Sequence, residues 1–339
     1  MSRLIAVELR RILSRRLVKL IVLGVFVVLT VTNVFQAFHH TNDLGAERAK
    51  VTAQLQQEFD QQQGQSGNPL GPFGFRCDGD NYPPIDADPV TGLPILPPQC
   101  HVMTVAEAVD QQMQYDDPRF LMVRDGRSML IAGLVTAALV GFLLSASAVG
   151  AEWGSGMFAS LLTWEPRRMR VLAAKTIACT AFFTVVGALI IGYQLLSAAA
   201  LAQTRGSFVG MTGPVTHALA GIVGRGIGLV ALTAAAGAAL AGIARSTAGA
   251  MAILGGYLVV VELGARGLLR GDDRWFLSRN AFALINGETS ISVPIRHAGG
   301  DYSSERFIIS AGRAAIVNAV IVLVVTLVHG VLLQRRDAN

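Results

Sequence analysis

Residues Met129–Val149 read MLIAGLVTAALVGFLLSASAV, 21 consecutive positions without a charge. About 20 apolar residues in a helix cross a hydrocarbon core roughly 30 Å thick, so this stretch predicts a membrane span. Five more stretches meet or approach that length: Leu17–Phe38, Val171–Ala202, Thr216–Ile243, Thr247–Gly264 and Ala311–Leu333. Thr247–Gly264 is the shortest, and Val171–Ala202 is long enough to tilt. The composition agrees: 52% of the residues are hydrophobic and only 15% are charged, against about 25% charged in a soluble domain. That is too little polar surface to coat a water-soluble globule, and it excludes intrinsic disorder and a nucleic-acid-binding fold despite a net charge of +5. The fold class that follows is an all-α integral membrane protein with six transmembrane helices.

Orientation follows from the basic residues of the short connections. Arg3, Arg10, Arg11, Arg15, Arg16 and Lys19 precede or open the first span, and Arg167, Arg168, Arg170 and Lys175 follow the second. Arg245 lies between the fourth and fifth spans, and Arg335 and Arg336 close the chain. All four segments on the inside give a multi-pass plasma-membrane protein with both termini cytoplasmic. Segment 265–310, placed outside, strains this rule, because seven arginines fall between residues 265 and 313. The first span reads as a retained anchor, its apolar run exceeding that of a signal peptide.

Residues 39–128 form an extracellular domain in this topology, with 13 acidic against 6 basic residues. Asp43–Gln63 reads as a solvated helix. Thr104-Val-Ala-Glu107 has capping-box spacing, which predicts a second helix running to the break at Asp117-Pro118. Eight of the twelve prolines fall within residues 69–98, which predicts irregular backbone there. Cys77 and Cys100 bracket that segment, and on an oxidising outer side they are expected to form a disulfide. The alternative is a metal site using Cys77, Cys100, His101 and the pair His39-His40, although the spacing matches no zinc pattern. Cys179 reads as a packing residue inside the third span. In the outer segment 265–310, Asn280–Gly287 could make a short apolar hairpin dipping toward the membrane.

Functional signals concentrate in the cytoplasmic loop 150–170. Its middle, Met157, Phe158, Leu161, Leu162 and Trp164, reads as a short helix exposing apolar side chains outside the bilayer, and such a face wants a partner or a lipid interface. Pro166 suits the first position of the helix that enters the third span. The pattern Glu152, Gly156, Leu162, Pro166, Arg168, Lys175 resembles the first cytoplasmic loop of type-two ATP-binding-cassette permeases, the transmembrane subunits of exporters. Residues 1–16 are similar to that family's amphipathic elbow helix, with Leu4, Ile5, Leu9, Ile12 and Leu13 facing lipid. The resemblance implies that residues 152–168 form a coupling helix seated on an ATPase subunit, with Glu152, Gly156, Met157, Phe158, Leu161, Leu162, Trp164, Pro166 and Arg168 as the contact set. It further implies a second permease, the same or a paralogous chain, and substrate export driven by ATP and Mg bound in the partner.

The chain itself carries no G-x-x-x-x-G-K-[ST] phosphate loop, so ATP hydrolysis is expected elsewhere. No catalytic residue, metal or cofactor of its own is expected. An intramembrane protease using Ser155 and His329 is rejected, because Trp153 stands where the nucleophile motif needs glycine. The alternative reading is a non-transporting scaffold or sensor whose extracellular domain binds a ligand. Within the spans, Gly221, Gly224, Gly228, Gly237 and Gly242, including the small-xxx-small step Gly224–Gly228, predict close packing of the fourth, with a hinge as the alternative. Arg225 and Glu262 are charges inside spans. Unpaired charge at depth costs a few kcal/mol, so each is expected to pair or to face a water-filled cavity, with Arg266 a possible interfacial partner for Glu262.

Overall fold

The computed structural model describes residues 2–63, 73–77, 86–87, 94–96, 100–164, 167–265, 273–296 and 302–335. Six helices in it are long and apolar enough to cross a membrane: Arg16–His39, Met122–Gly154, Arg168–Arg205, Gly213–Ala244, Thr247–Gly264 and Ala311–Arg335. They coincide with the six stretches read from the sequence, and this is the architecture of a multi-pass membrane protein. The third is longer than expected. At 38 residues and 1.5 Å per residue it measures about 57 Å, well beyond the hydrocarbon thickness.

The chain divides into two units. The first comprises Met1–Asn33, Met122–Ala200 and Phe208–Asn339. It begins with α1 (Ser2–Ser14), a short helix that turns at Arg15 into α2 (Arg16–His39). After a π-turn at Met122–Gly126, α5 (Arg127–Gly154) forms the second span. The loop helix α6 (Met157–Trp164), α7 (Arg168–Arg205) and α8 (Gly213–Ala244) follow. The fifth span starts as α9 (Thr247–Gly256) and continues as a π-helix over Tyr257–Ala265. Next come α10 (Leu277–Asn286), the antiparallel strands Glu288–Arg296 and Tyr302–Ser310, and α11 (Ala311–Arg335).

Spans two, three and four make the core, with 61%, 44% and 44% of their most apolar windows buried against 11–22% for the other three. Packing of α5 on α8 depends on residues without side chains. A Cβ on Gly226 would collide with Leu134, and one on Gly237 would collide with the Phe142 backbone. Gly224 and Gly228, by contrast, have nothing within 4 Å. The small-residue step read from the sequence therefore lies off the helix contact. Gly226 is half a turn away from it, and Gly226, Val230, Ala234, Gly237 and Ala241 are among the buried positions.

The second unit comprises Val34–Leu121 and Leu201–Ser207. Its helices α3 (Leu44–Gln63) and α4 (Val105–Tyr115) pack around Leu55, Ala108 and Val109, with an Arg48–Asp110 ion pair across them. The capping box is formed as the spacing predicts: the Thr104 backbone N–H donates to Glu107 Oε2 at 2.9 Å, and the Glu107 N–H donates to Thr104 Oγ1 at 3.3 Å. The Thr104 backbone bond, with His101 Nε2 at 2.6 Å and the Thr104 hydroxyl at 2.8 Å, holds the Glu107 carboxyl at about 2, below its ordinary 4.5. Asp117 bonded to Arg119 raises that guanidinium's already high pKa.

Cys77 and Cys100 form a disulfide of 2.02 Å across the pair of short strands Phe75–Cys77 and Cys100–Val102. The bond takes both sulfurs, which removes the thiolates that the metal alternative needed.

Candidate functional site

Three helix ends of the first unit meet over a buried cluster of charges. Lys175 Nζ, in the second turn of α7, lies 2.8 Å from Glu8 Oε2 of α1 and 2.5 Å from Glu152 Oε2 in the last turn of α5. Glu152 Oε1 accepts from Arg15 Nη2 at 2.9 Å, and Arg11 reaches Glu8 at 3.1 Å. The Lys175 and Glu152 side chains are each 4% exposed. Two carboxylates face three cations here, so each buried charge has an opposite within hydrogen-bonding distance, which is the condition for keeping ions out of water. The cluster ties α1 to the bundle and fixes where the loop after α5 begins.

Helix α1 can do this because Glu8 and Ile12 lie one turn apart on one face, and Arg15, at the turn that follows, continues their spacing at i+7. Glu8 and Ile12 are buried. This corrects the expectation that Ile12 faces lipid: it belongs to the core, while Leu13 at 52% is exposed.

The loop helix α6 stands on that base. Gly156 ends α5 with φ +69° and has open space where a Cβ would stand, a conformation glycine takes without strain. The eight residues that follow divide by face. Phe158 is 1% exposed and packs on Val171, Leu172 and Leu333 with Leu161 beside it. Its ring stacks on Trp153 at 4.3 Å, and the Arg245 guanidinium lies over the Trp153 ring, 4.7 Å from its centroid. Arg245 sits in the turn between α8 and α9 with φ +52°, so this stack joins both loops at this end of the unit. Met157 at 45% and Trp164 at 88% point away from the bundle, seven residues and two turns apart.

The nine residues of the expected contact set therefore separate. Met157 and Trp164 form an outward apolar face. Phe158, expected on that face, is instead the anchor beneath the helix, because an eight-residue helix with this much apolar surface must bury one side to hold its place. Glu152 is committed to Lys175 and Arg15. Arg168 Nη1 donates to the Leu333 carbonyl at 2.9 Å, in the last turn of α11, where a cation suits the helix dipole. Leu161 is half-buried. Gly156 supplies the turn. Pro166 and the Leu162 side chain lie outside the described residues. The roles of Glu8, Arg15, Trp153 and Arg245 are not in the sequence reading. Only the i, i+4, i+7 spacing of Glu8, Ile12 and Arg15 hinted at the first two.

The two charges within spans meet at the other end of the unit, on opposite ends of α10. Glu262 is 4% exposed and accepts the Ser278 backbone N–H at 2.8 Å, the Ser278 hydroxyl and the Tyr257 hydroxyl at 3.2 Å. Arg225 donates to the Ile285 carbonyl at 3.2 and 3.3 Å. Both are partnered, as the cost of a lone charge requires. Arg266 lies outside the described residues. Residues 280–287 are not the apolar hairpin considered from the sequence but the larger part of this helix with its closing Gly287 (φ +100°), and the hairpin begins at Glu288. The π-winding of the fifth span serves this site. Residues five apart on an α-helix point about 140° away from each other, whereas a wider turn lets Tyr257 and Glu262 meet each other and the start of α10.

No protein-family model matches the chain, and no curated protein or solved structure does either.

Proposed function

We propose that this chain is the permease subunit of an ATP-binding-cassette exporter, and that the outward face of α6, Met157 and Trp164, is where a separate ATPase subunit seats. On this reading both termini and α6 are cytoplasmic, α1 is the elbow helix and unit two is the extracellular insertion. ATP with Mg is bound in the partner, and two permeases make the working assembly. The observation that supports it is the construction of α6: an exposed apolar face on a helix braced from beneath by Phe158 and from its root by the Glu152–Lys175 pair. A loop helix resting on lipid has no need of such bracing, whereas one that transmits force has. The work is mechanical, a displacement of α6 that reorients the spans.

The test is co-purification of the chain with an ATPase encoded beside it. Trp164→Asp and Met157→Asp should abolish the association and leave the permease folded. Phe158→Ala should instead destabilise the chain, by about 3–5 kcal/mol. An ATPase that stays bound to Trp164→Asp/Met157→Asp, or purification without any ATPase, would overturn the proposal. The second outcome would favour a sensor built around the disulfide-closed unit.

A further inference from the structure

Seven arginines fall between residues 265 and 313, against the expectation for an outer segment of a positive-inside protein. Two of them converge on one aromatic pair. Arg313, in the first turn of α11, lies 5.2 Å from the Trp275 ring centroid and 5.0 Å from that of Phe307. Arg274 approaches the same Phe307 ring at 5.2 Å. Trp275 is 67% exposed.

A guanidinium stacked on rings uses its faces and keeps its in-plane N–H donors, the fork that fits phosphate. Among the side chains described, which exclude those of Asp273 and Glu305, no carboxylate lies within 4 Å of Arg313. Below it, at i+3, i+7 and i+10 on the same helix, Ile316, Val320 and Leu323 are 66%, 50% and 57% exposed. That places phosphate-directed donors at the head of an open apolar stripe, with an exposed Trp beside them, a residue type that collects at membrane interfaces.

We infer that Arg313, with Trp275 and Phe307 beside it, forms a binding site for an anionic phospholipid, its phosphate on the Arg313 guanidinium and an acyl chain along Ile316, Val320 and Leu323. The stripe is what selects a lipid over a soluble phosphate, because a free anion makes no use of it. This assignment stands independently of any ATPase.

The test is thermal unfolding of the full chain in detergent with added phosphatidylglycerol, phosphatidylcholine or inorganic phosphate. Phosphatidylglycerol should raise the midpoint by about 5 °C more than phosphatidylcholine, and inorganic phosphate should not reproduce the shift. Arg313→Gln should lose at least half of that excess, while Arg306→Gln, an exposed arginine of the hairpin outside the cluster, should keep it. Equal responses to the two lipids, a full response in Arg313→Gln, or an equal effect of inorganic phosphate would each overturn the inference. The wild-type comparison decides even if Arg313→Gln does not fold.

Discussion

Glu262 and Arg225 hold opposite ends of one helix: Glu262 accepts the Ser278 amide at the start of α10, and Arg225 donates to the Ile285 carbonyl in its last turn. Anion at the N-terminus and cation at the C-terminus is the favourable arrangement for the helix dipole. At ten residues α10 is too short to be stable alone, so it depends on these two side chains and its packing. Glu262→Ala or Arg225→Met should each cost about 2 kcal/mol locally, which is roughly thirtyfold faster amide exchange over residues 277–286. Exchange at the α6 end should not change, and uniform acceleration across the unit would contradict this account.

Lys175 bridges Glu8 and Glu152 in a nearly dry site. Glu152→Gln or Lys175→Met alone strands a buried charge and should lower unfolding stability in detergent by about 3–5 kcal/mol. Joined in one chain, the two changes should cost clearly less than their sum, because each removes the other's unpaired partner. Additive losses would mean that the two side chains do not interact.

Two glycines of α8, two residues apart, should respond in opposite ways. Gly224→Ala meets open space and should be neutral or stabilise by up to about 1 kcal/mol through helix propensity. Gly226→Ala drives a methyl into Leu134 and should cost about 1–3 kcal/mol. Thermal unfolding of the two variants side by side separates the faces of the helix, and equal effects would place the contact wrongly.

Glu107 carries a pH dependence. Its carboxyl is lowered from 4.5 to about 2 by the Thr104 backbone bond first, then by His101 and the Thr104 hydroxyl. A group whose pKa is depressed by folding contributes stability above its unfolded value and loses it as pH falls through the folded one. Amide exchange in α4 should therefore accelerate as pH is lowered from about 4.5 toward 2, beyond the intrinsic change in exchange rate, and Glu107→Gln should remove that excess. An unchanged excess in the variant would assign the acid sensitivity to another group.

The spans were legible because each is a long apolar run, and a run needs no knowledge of its neighbours. The capping box was legible for a related reason, since Thr104 and Glu107 are three residues apart and their bond is local. Faces were harder. Phe158 and Trp164 are both apolar aromatics on one eight-residue helix, and only the position of Leu333, some 170 residues later, decides which is covered. Glu8 looked like one polar residue among many, because its partner Lys175 lies 167 positions away. The misread Gly224–Gly228 step has the same origin: spacing gives a stripe but not the direction it faces. Arg225 and Glu262 were identified by their cost in lipid, yet their shared target, α10, could not be seen from either one.

Phe158 lies between α6 and two other helices, touching the start of α7 and the end of α11 together, while Arg168 ties those two to each other. Trp164 is thus the handle of a wedge already driven home. A tug on it is felt in three places at once, and nothing that seizes it can lift the loop alone.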